Sequence, residues 1–161
     1  MKLYRSAPLV VACLLSLSAC AKAQPAADAA PAGKAFLAQN AHADGVHVTP
    51  SGLQYKVIKS GPADGPHPTL TDEVKVNYEG KLLDGTIFDS SYQRGTPAVF
   101  GLTGLIAGWT EALQLMRPGD EWLLTVPAEL AYGDDGAGPI PPGSVLQFRL
   151  ELVSIGPGAG S

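Results

Sequence analysis

Only one stretch of this chain, Trp109 to Met116, repeats its apolar residues at helical spacing, and it is short. Trp109, Ala112, Leu113 and Met116 fall at i, i+3, i+4 and i+7, and Pro118-Gly119 follows as a stop, which predicts a single amphipathic helix. Elsewhere the dominant period is two. Leu53, Tyr55 and Val57 alternate with Gln54, Lys56 and Ile58, and Val74, Val76 and Tyr78 with Lys75 and Asn77. Leu146, Phe148, Leu150 and Leu152 alternate in the same way with Gln147, Arg149 and Glu151, while Glu121 to Val126 has the character of a buried strand. Asp84-Gly85, after Leu82-Leu83 and before Thr86-Ile87-Phe88, is a tight-turn signal that predicts a hairpin. With 19 Gly and 14 Pro the chain favours turns over long helices. Strands with one apolar face and a single helix to cover them predict a two-layer α+β domain, built on four to five antiparallel strands.

The side chains available for chemistry are equally restrictive. Tyr78, Phe88, Phe100, Trp109, Tyr132 and Phe148 are spread through a region without histidine or cysteine, because His42, His47 and His67 all lie upstream. Metal centres normally draw on His or Cys, and hydrolases on an activated Ser or Cys with its base, so the pattern argues against both and for binding in an apolar pocket. No cofactor or metal is expected. The formal charge of -4 and the pI near 5.2 give no basic footprint for nucleic acid.

Both cysteines, Cys13 and Cys20, lie near the N-terminus, so the downstream domain is expected to hold no disulfide. Lys2 and Arg5 precede an apolar run from Ala7 to Ala19 that is too short to span a bilayer and has the form of an export signal. Leu17-Ser18-Ala19-Cys20 resembles a bacterial lipobox, which makes Cys20 a lipidation site and a membrane anchor; the other reading is an ordinary signal peptide cut after a small residue. Ala21, standing where an Asp favours inner-membrane retention, points to the outer membrane, with the domain facing the periplasm. The expected organisation is a signal peptide over 1–19 and a lipidated Cys with an Ala/Pro-rich tether over 20–48. The domain then runs over 49–156 and a flexible tail over 157–161. Within the tether, Lys34 to Ala43 can form one or two helical turns around Phe36 and Leu37.

Five segments in order carry a family resemblance over about two thirds of the chain. They are Val76-Asn77-Tyr78-Glu79-Gly80, Asp84-Gly85-Thr86-Ile87-Phe88-Asp89-Ser90-Ser91, Ile106-Ala107-Gly108-Trp109, Leu130-Ala131-Tyr132-Gly133, and Ile140-Pro141-Pro142-Gly143-Ser144 running on through Leu146-Gln147-Phe148. Together they resemble the FKBP-type peptidyl-prolyl cis-trans isomerases, and Thr49 to Tyr55 resembles the entry strand of the bacterial, envelope-located lipoprotein branch.

The resemblance implies a curved sheet wrapped on the helix and a shallow pocket between them. Trp109 would form its floor and Tyr78, Phe88 and Phe148 its walls. Asp89 and the backbone N–H of Ile106 would complete the catalytic set, with Tyr132 overhanging the opening. Leu105, Ile140 and Arg94 would contact substrate at the rim. Each residue also has a plainer reading: Trp109, Phe88 and Phe148 as core, Asp89 as a turn residue bonding its own backbone, Tyr132 as a loop cap, Arg94 as pairing with Asp89 or only facing water. Phe100 is read as core support and Trp122 as structural.

Implied partners are proline-containing polypeptide clients and macrolide inhibitors. Ala98, where many relatives carry an aromatic, the short stretch from Phe100 to Trp109 and the trimmed Gly136 to Pro139 loop all bear on substrate and macrolide preference. The long helical dimerisation arm of some relatives is missing, so a monomer is expected. The competing functions are a non-catalytic proline-peptide-binding module or holdase that keeps the fold, and a structural lipoprotein.

Overall fold

The computed structural model describes residues 29–157, so the signal, Cys20 and most of the predicted tail lie outside the described residues. In chain order the elements are helix α1 (Ala29–Asn40), strands β1 (Val46–Val48), β2 (Gln54–Lys59), β3 (Glu73–Leu82) and β4 (Ile87–Ser90), and the one-turn helix α2 (Ser91–Arg94). Strand β5 (Ala98–Gly101), helix α3 (Ala107–Leu115), β6 (Glu121–Val126) and β7 (Leu146–Gly156) follow.

All strand pairs are antiparallel, and the sheet runs β1-β2-β6-β7-β3-β4, with β5 also paired to β3. Strand β3 therefore shares one edge between two partners: Glu73 to Val76 pair with β5 and Glu79 to Lys81 with β4, and α2 fills the gap between them. The α+β class and the antiparallel sheet match the sequence reading. The strand number does not, since seven strands replace the expected four to five. The additional ones, β1 and β5, have 3 and 4 residues, too few for a period of two to emerge.

The predicted hairpin joins β3 to β4, with the Leu82 N–H donating to Thr86 O (2.9 Å) and the Gly85 N–H to Leu82 O (3.0 Å). Helix α3 forms where its period places it and buries Trp109, Ala112 and Leu113 against the inner face of the sheet, where Val76, Leu124, Leu146, Leu150 and Leu152 complete the core.

Strand β2 departs from simple alternation. Gln54 is only 4% exposed because α1 lies over the outer face at this end and hydrogen-bonds it, while Val57, further along the strand, is 38% exposed. The folded body thus begins upstream of Thr49. Helix α1 has 12 residues where one or two turns were expected, and β1 pairs with β2 from Val46↔Lys56 to Val48↔Gln54, so residues 29–48 are part of the domain and not of a tether. Packing on the sheet supplies the stability that an isolated helix of this length lacks.

Candidate functional site

The aromatic residues converge. Trp109, 4% exposed, sits on the inner face of α3 with three rings set edge-on around it: Tyr78 from β3 at a centroid distance of 5.0 Å and 82°, Phe148 from β7 at 5.2 Å and 79°, and Phe100 from β5 at 6.1 Å and 76°. Phe88 from β4 extends the group by a T-shaped contact with Phe148 at 5.7 Å and 87°. Such edge-to-face pairs contribute about 0.5–1.5 kcal/mol each beyond the area they bury. Phe100 thus belongs to the cluster, a role the sequence reading did not give it. The signal was weak because β5 has only 4 residues and the partner rings come from other elements.

Gly80 makes room for these rings. It pairs with Phe148 across β3 and β7, and a methyl built on it would lie 2.6 Å from Phe88 Cζ and 2.7 Å from Phe148 Cε1.

Polar groups gather at one side of the cluster. The Tyr78 hydroxyl donates to Asp89 Oδ2, Arg94 Nη1 donates to Asp89 Oδ1, and Arg94 Nη2 donates to the Tyr78 hydroxyl at 2.9 Å. The guanidinium carbon also lies 5.4 Å from the centroid of the Tyr78 ring, in cation–π range. Of its two plainer readings Arg94 takes the pairing with Asp89, and through both bonds it holds Tyr78 and Asp89 in place. Asp89 uses its carboxylate across strands, and the neighbouring Ser90 N–H stabilises it as well.

The Tyr78 backbone is fixed separately. Where β4 and β5 leave the edge of β3 uncovered, Ser91 Oγ accepts the Tyr78 N–H (2.8 Å) and donates to Tyr78 O (3.3 Å), so a hydroxyl replaces the missing strand. Ser91 is 1% exposed, and an unpaired backbone group there would cost about 1–3 kcal/mol.

Leu105 and Ile106 are half-buried and pack against the core at the start of α3. The carbonyl of Ile106 accepts from the Trp109 and Thr110 N–H groups at 3.0 and 3.1 Å, while its own N–H finds no acceptor among the described residues. Ile140 is 7% exposed and joins the core cluster, whereas Tyr132 is 40% exposed in the loop between β6 and β7. Trp122 stands apart, stacked at 4.3 Å on Tyr55, which stacks in turn on His47 at 5.1 Å. Among the described residues no group of three or more His, Cys, Asp or Glu side chains converges as metal ligands would.

The electrostatics set protonation states. Burial pushes the Tyr78 hydroxyl above its ordinary 10.0, and its hydrogen bond to Asp89 adds to this. For Asp89, burial acts to raise the value, but hydrogen bonds from Tyr78 and Arg94 and the Arg94 charge outweigh it and hold the carboxyl below its ordinary 3.8. A group depressed on folding contributes stability above its unfolded value and loses it as pH falls through the folded one. The stability difference between the parent and Asp89→Asn is therefore expected to be constant from pH 5 to 9 and to shrink below about pH 4, as urea unfolding at pH 3 and pH 7 would measure. With the ion pair half exposed the difference is expected to be small.

Known proteins place this architecture. A family model described as FKBP-type peptidyl-prolyl cis-trans isomerase matches residues 65–153, and one described as a domain amino terminal to that isomerase matches residues 14–57. A solved peptidyl-prolyl cis-trans isomerase from Pseudomonas syringae superposes with a TM-score of 0.74 at 37% identity, over 83% of this chain and 98% of that one. This chain belongs to the FKBP-type peptidyl-prolyl cis-trans isomerase family. The FKBP-type 22 kDa peptidyl-prolyl cis-trans isomerase of Escherichia coli is 54% identical over 124 residues, 76% of this chain and 59% of its own length. A Legionella longbeachae protein named outer membrane protein MIP is 49% identical, over 76% of this chain and 52% of its own. The chain spans a little over half the length of these curated relatives.

Proposed function

We propose that this chain is a peptidyl-prolyl cis-trans isomerase that accelerates X-Pro rotation in proteins of the bacterial envelope. The observation that carries the reading is the aromatic cluster on Trp109 with the unengaged Ile106 N–H at the start of the same helix. A proline ring is compact and apolar and suits aromatic walls. Tyr78, Phe88, Phe100, Phe148 and Trp109 take the ring, and the Ile106 N–H donates to the carbonyl of the residue before proline. Asp89 and Arg94 act through Tyr78, keeping its ring in position. Tyr132 and Leu105 border the bound peptide.

The reaction makes and breaks no covalent bond, which matches a site without a nucleophile. Rotation is opposed by amide resonance of about 18–20 kcal/mol. The planar amide carries more charge separation than the twisted one, so an apolar site that removes water favours the twisted form, and one oriented N–H holds the carbonyl through the turn. A ten-thousand-fold acceleration requires only about 5.5 kcal/mol.

The test is isomerisation of a short proline peptide by the full chain, followed by its change of spectrum. Acceleration at micromolar protein, with inhibition by a macrolide, supports the reading; a folded protein with no rate above background removes it and leaves a binding module or holdase.

The envelope location rests on the signal-like N-terminus, the lipobox-like Cys20 and the outer-membrane name of the Legionella relative. Among the described residues no helix is long and apolar enough to cross a membrane. Cys20→Ala is expected to abolish incorporation of labelled fatty acid and to release the protein from membranes; retained label would refute anchoring at this residue.

A further inference from the structure

Helix α1 turns one face to the domain. Gly33 is its buried residue, and Phe36, Leu37 and Asn40, which follow at i+3, i+4 and i+7, are half-buried beside it. At the C-terminal end of this face, Gln54 Nε2 donates to Leu37 O (2.8 Å) and Asn40 Nδ2 donates to Gln54 Oε1 (2.8 Å). At its N-terminal end the helix lies against Gly143 to Val145. A methyl built on Gly33 would lie 2.7 Å from Val145 Cγ2, and one built on Gly143 would lie 2.9 Å from Ala30 Cβ. Helix and loop approach this closely because neither glycine carries a side chain.

The segment that α1 meets is the root of the loop bearing Tyr132 and Ile140. The Gly143 N–H donates to Gly133 O at 2.8 Å, next to Tyr132, and the Gly136 N–H donates to Tyr132 O at 3.2 Å. Ala137 and Ile140 exchange backbone bonds of 3.0 and 2.9 Å. These bonds close the loop on itself, and its setting against the sheet rests on Ile140 in the core and on its root, which α1 holds. Contacts therefore run without a gap from Gly33 through Val145 and Gly143 to the residue beside Tyr132.

We propose that α1 is a positioning element of the proline site and that Gly33 is the residue through which it sets the overhanging loop; the catalytic part of this rests on the isomerase reading above. A loop held in place before binding spares the substrate the cost of ordering it. The setting of the loop therefore depends on residues upstream of the sheet.

Gly33→Ala tests this in the full chain. Alanine is the better helix former, so any loss comes from the contact with Val145 and not from a weaker α1. KM for a proline peptide is expected to rise about fivefold with a smaller change in kcat, within the range that residues along a coupled path produce. Amide exchange at Ile140 and Gly143 is expected to quicken about tenfold, while Val76 and Leu150 keep their rates. Adding Val145→Ala removes the opposing methyl and should return both KM and exchange toward the parent. Unchanged KM and exchange in Gly33→Ala, or a loss that Val145→Ala does not restore, would overturn the proposal. If the parent shows no isomerase activity, the isomerase reading falls, and the exchange rates alone decide whether α1 sets the loop.

Discussion

Trp109→Ala is expected to lower stability by about 3–5 kcal/mol and to reduce isomerisation of a proline peptide at least a hundredfold. Two effects combine. Trp109 is 4% exposed and touches rings from β3, β5 and β7, so truncation opens a void among three elements that cannot all collapse inward. It also removes the surface on which the proline ring is proposed to rest. Because a small domain has only about 5–15 kcal/mol in hand, the variant sits near the edge of folding, and Trp109→Phe is the companion measurement. The indole Nε1 is buried and finds no acceptor among the described residues, so phenylalanine keeps most of the ring contact while deleting an unpaired donor. Urea unfolding of both variants, alongside their rates, separates the losses. A folded Trp109→Ala protein with parental activity would show that this ring takes no part in the reaction.

Gly80→Ala is expected to produce the opposite balance, a large loss of activity for a modest loss of stability. The added methyl would meet Phe88 Cζ at 2.6 Å and Phe148 Cε1 at 2.7 Å, so both rings must swing away. Those atoms are side-chain ends, and their movement costs less than a backbone shift; overpacking of this kind costs about 1–3 kcal/mol. The same movement displaces two walls of the proposed pocket by close to an ångström, a misplacement that can cost about a hundredfold in rate. Fitting kcat and KM separately, with a thermal midpoint as control, checks the result. Loss of folding with no selective loss of activity in the surviving protein would mean that Gly80 serves packing alone. Alanine at Gly101, where a methyl would meet nothing within 4 Å, is the matched control and is expected to leave the rate close to the parent's.

Much of the fold was legible because its periods are long enough to count. The helical spacing from Trp109 to Met116 led to α3, and the alternation in β3 and β7 led to two strands of 10 and 11 residues that pair along nearly their whole length. Asp84-Gly85 marked the hairpin because turn chemistry is local. What escaped the reading depends on partners far away in the chain. The inward face of α1 is Gly33, Phe36, Leu37 and Asn40, and only two of these are large apolar residues, so no amphipathic stripe announced a helix packed on the sheet. Gln54 looked like the outward member of an alternating pair until α1 covered it.

For the site, residue types could be read from the sequence and their grouping could not. Aromatic residues without histidine or cysteine already argued against common metal and nucleophile chemistry, and the motif order already pointed to the family. Which rings meet is a property of packing. Phe100 reaches Trp109 only because β5 pairs with β3, and Arg94 closes on Asp89 and Tyr78 only because α2 interrupts that edge. The sequence by itself determined the class of fold, the family and the side chains available for chemistry, since these follow from local period, turn residues, motif order and residue inventory. The tertiary structure alone decided that α1 and β1 belong to the folded body, that Phe100 joins the cluster and that Arg94 also bonds the Tyr78 hydroxyl. Each of those depends on contacts between residues distant in the chain, whose free energy exists only once the sheet has formed.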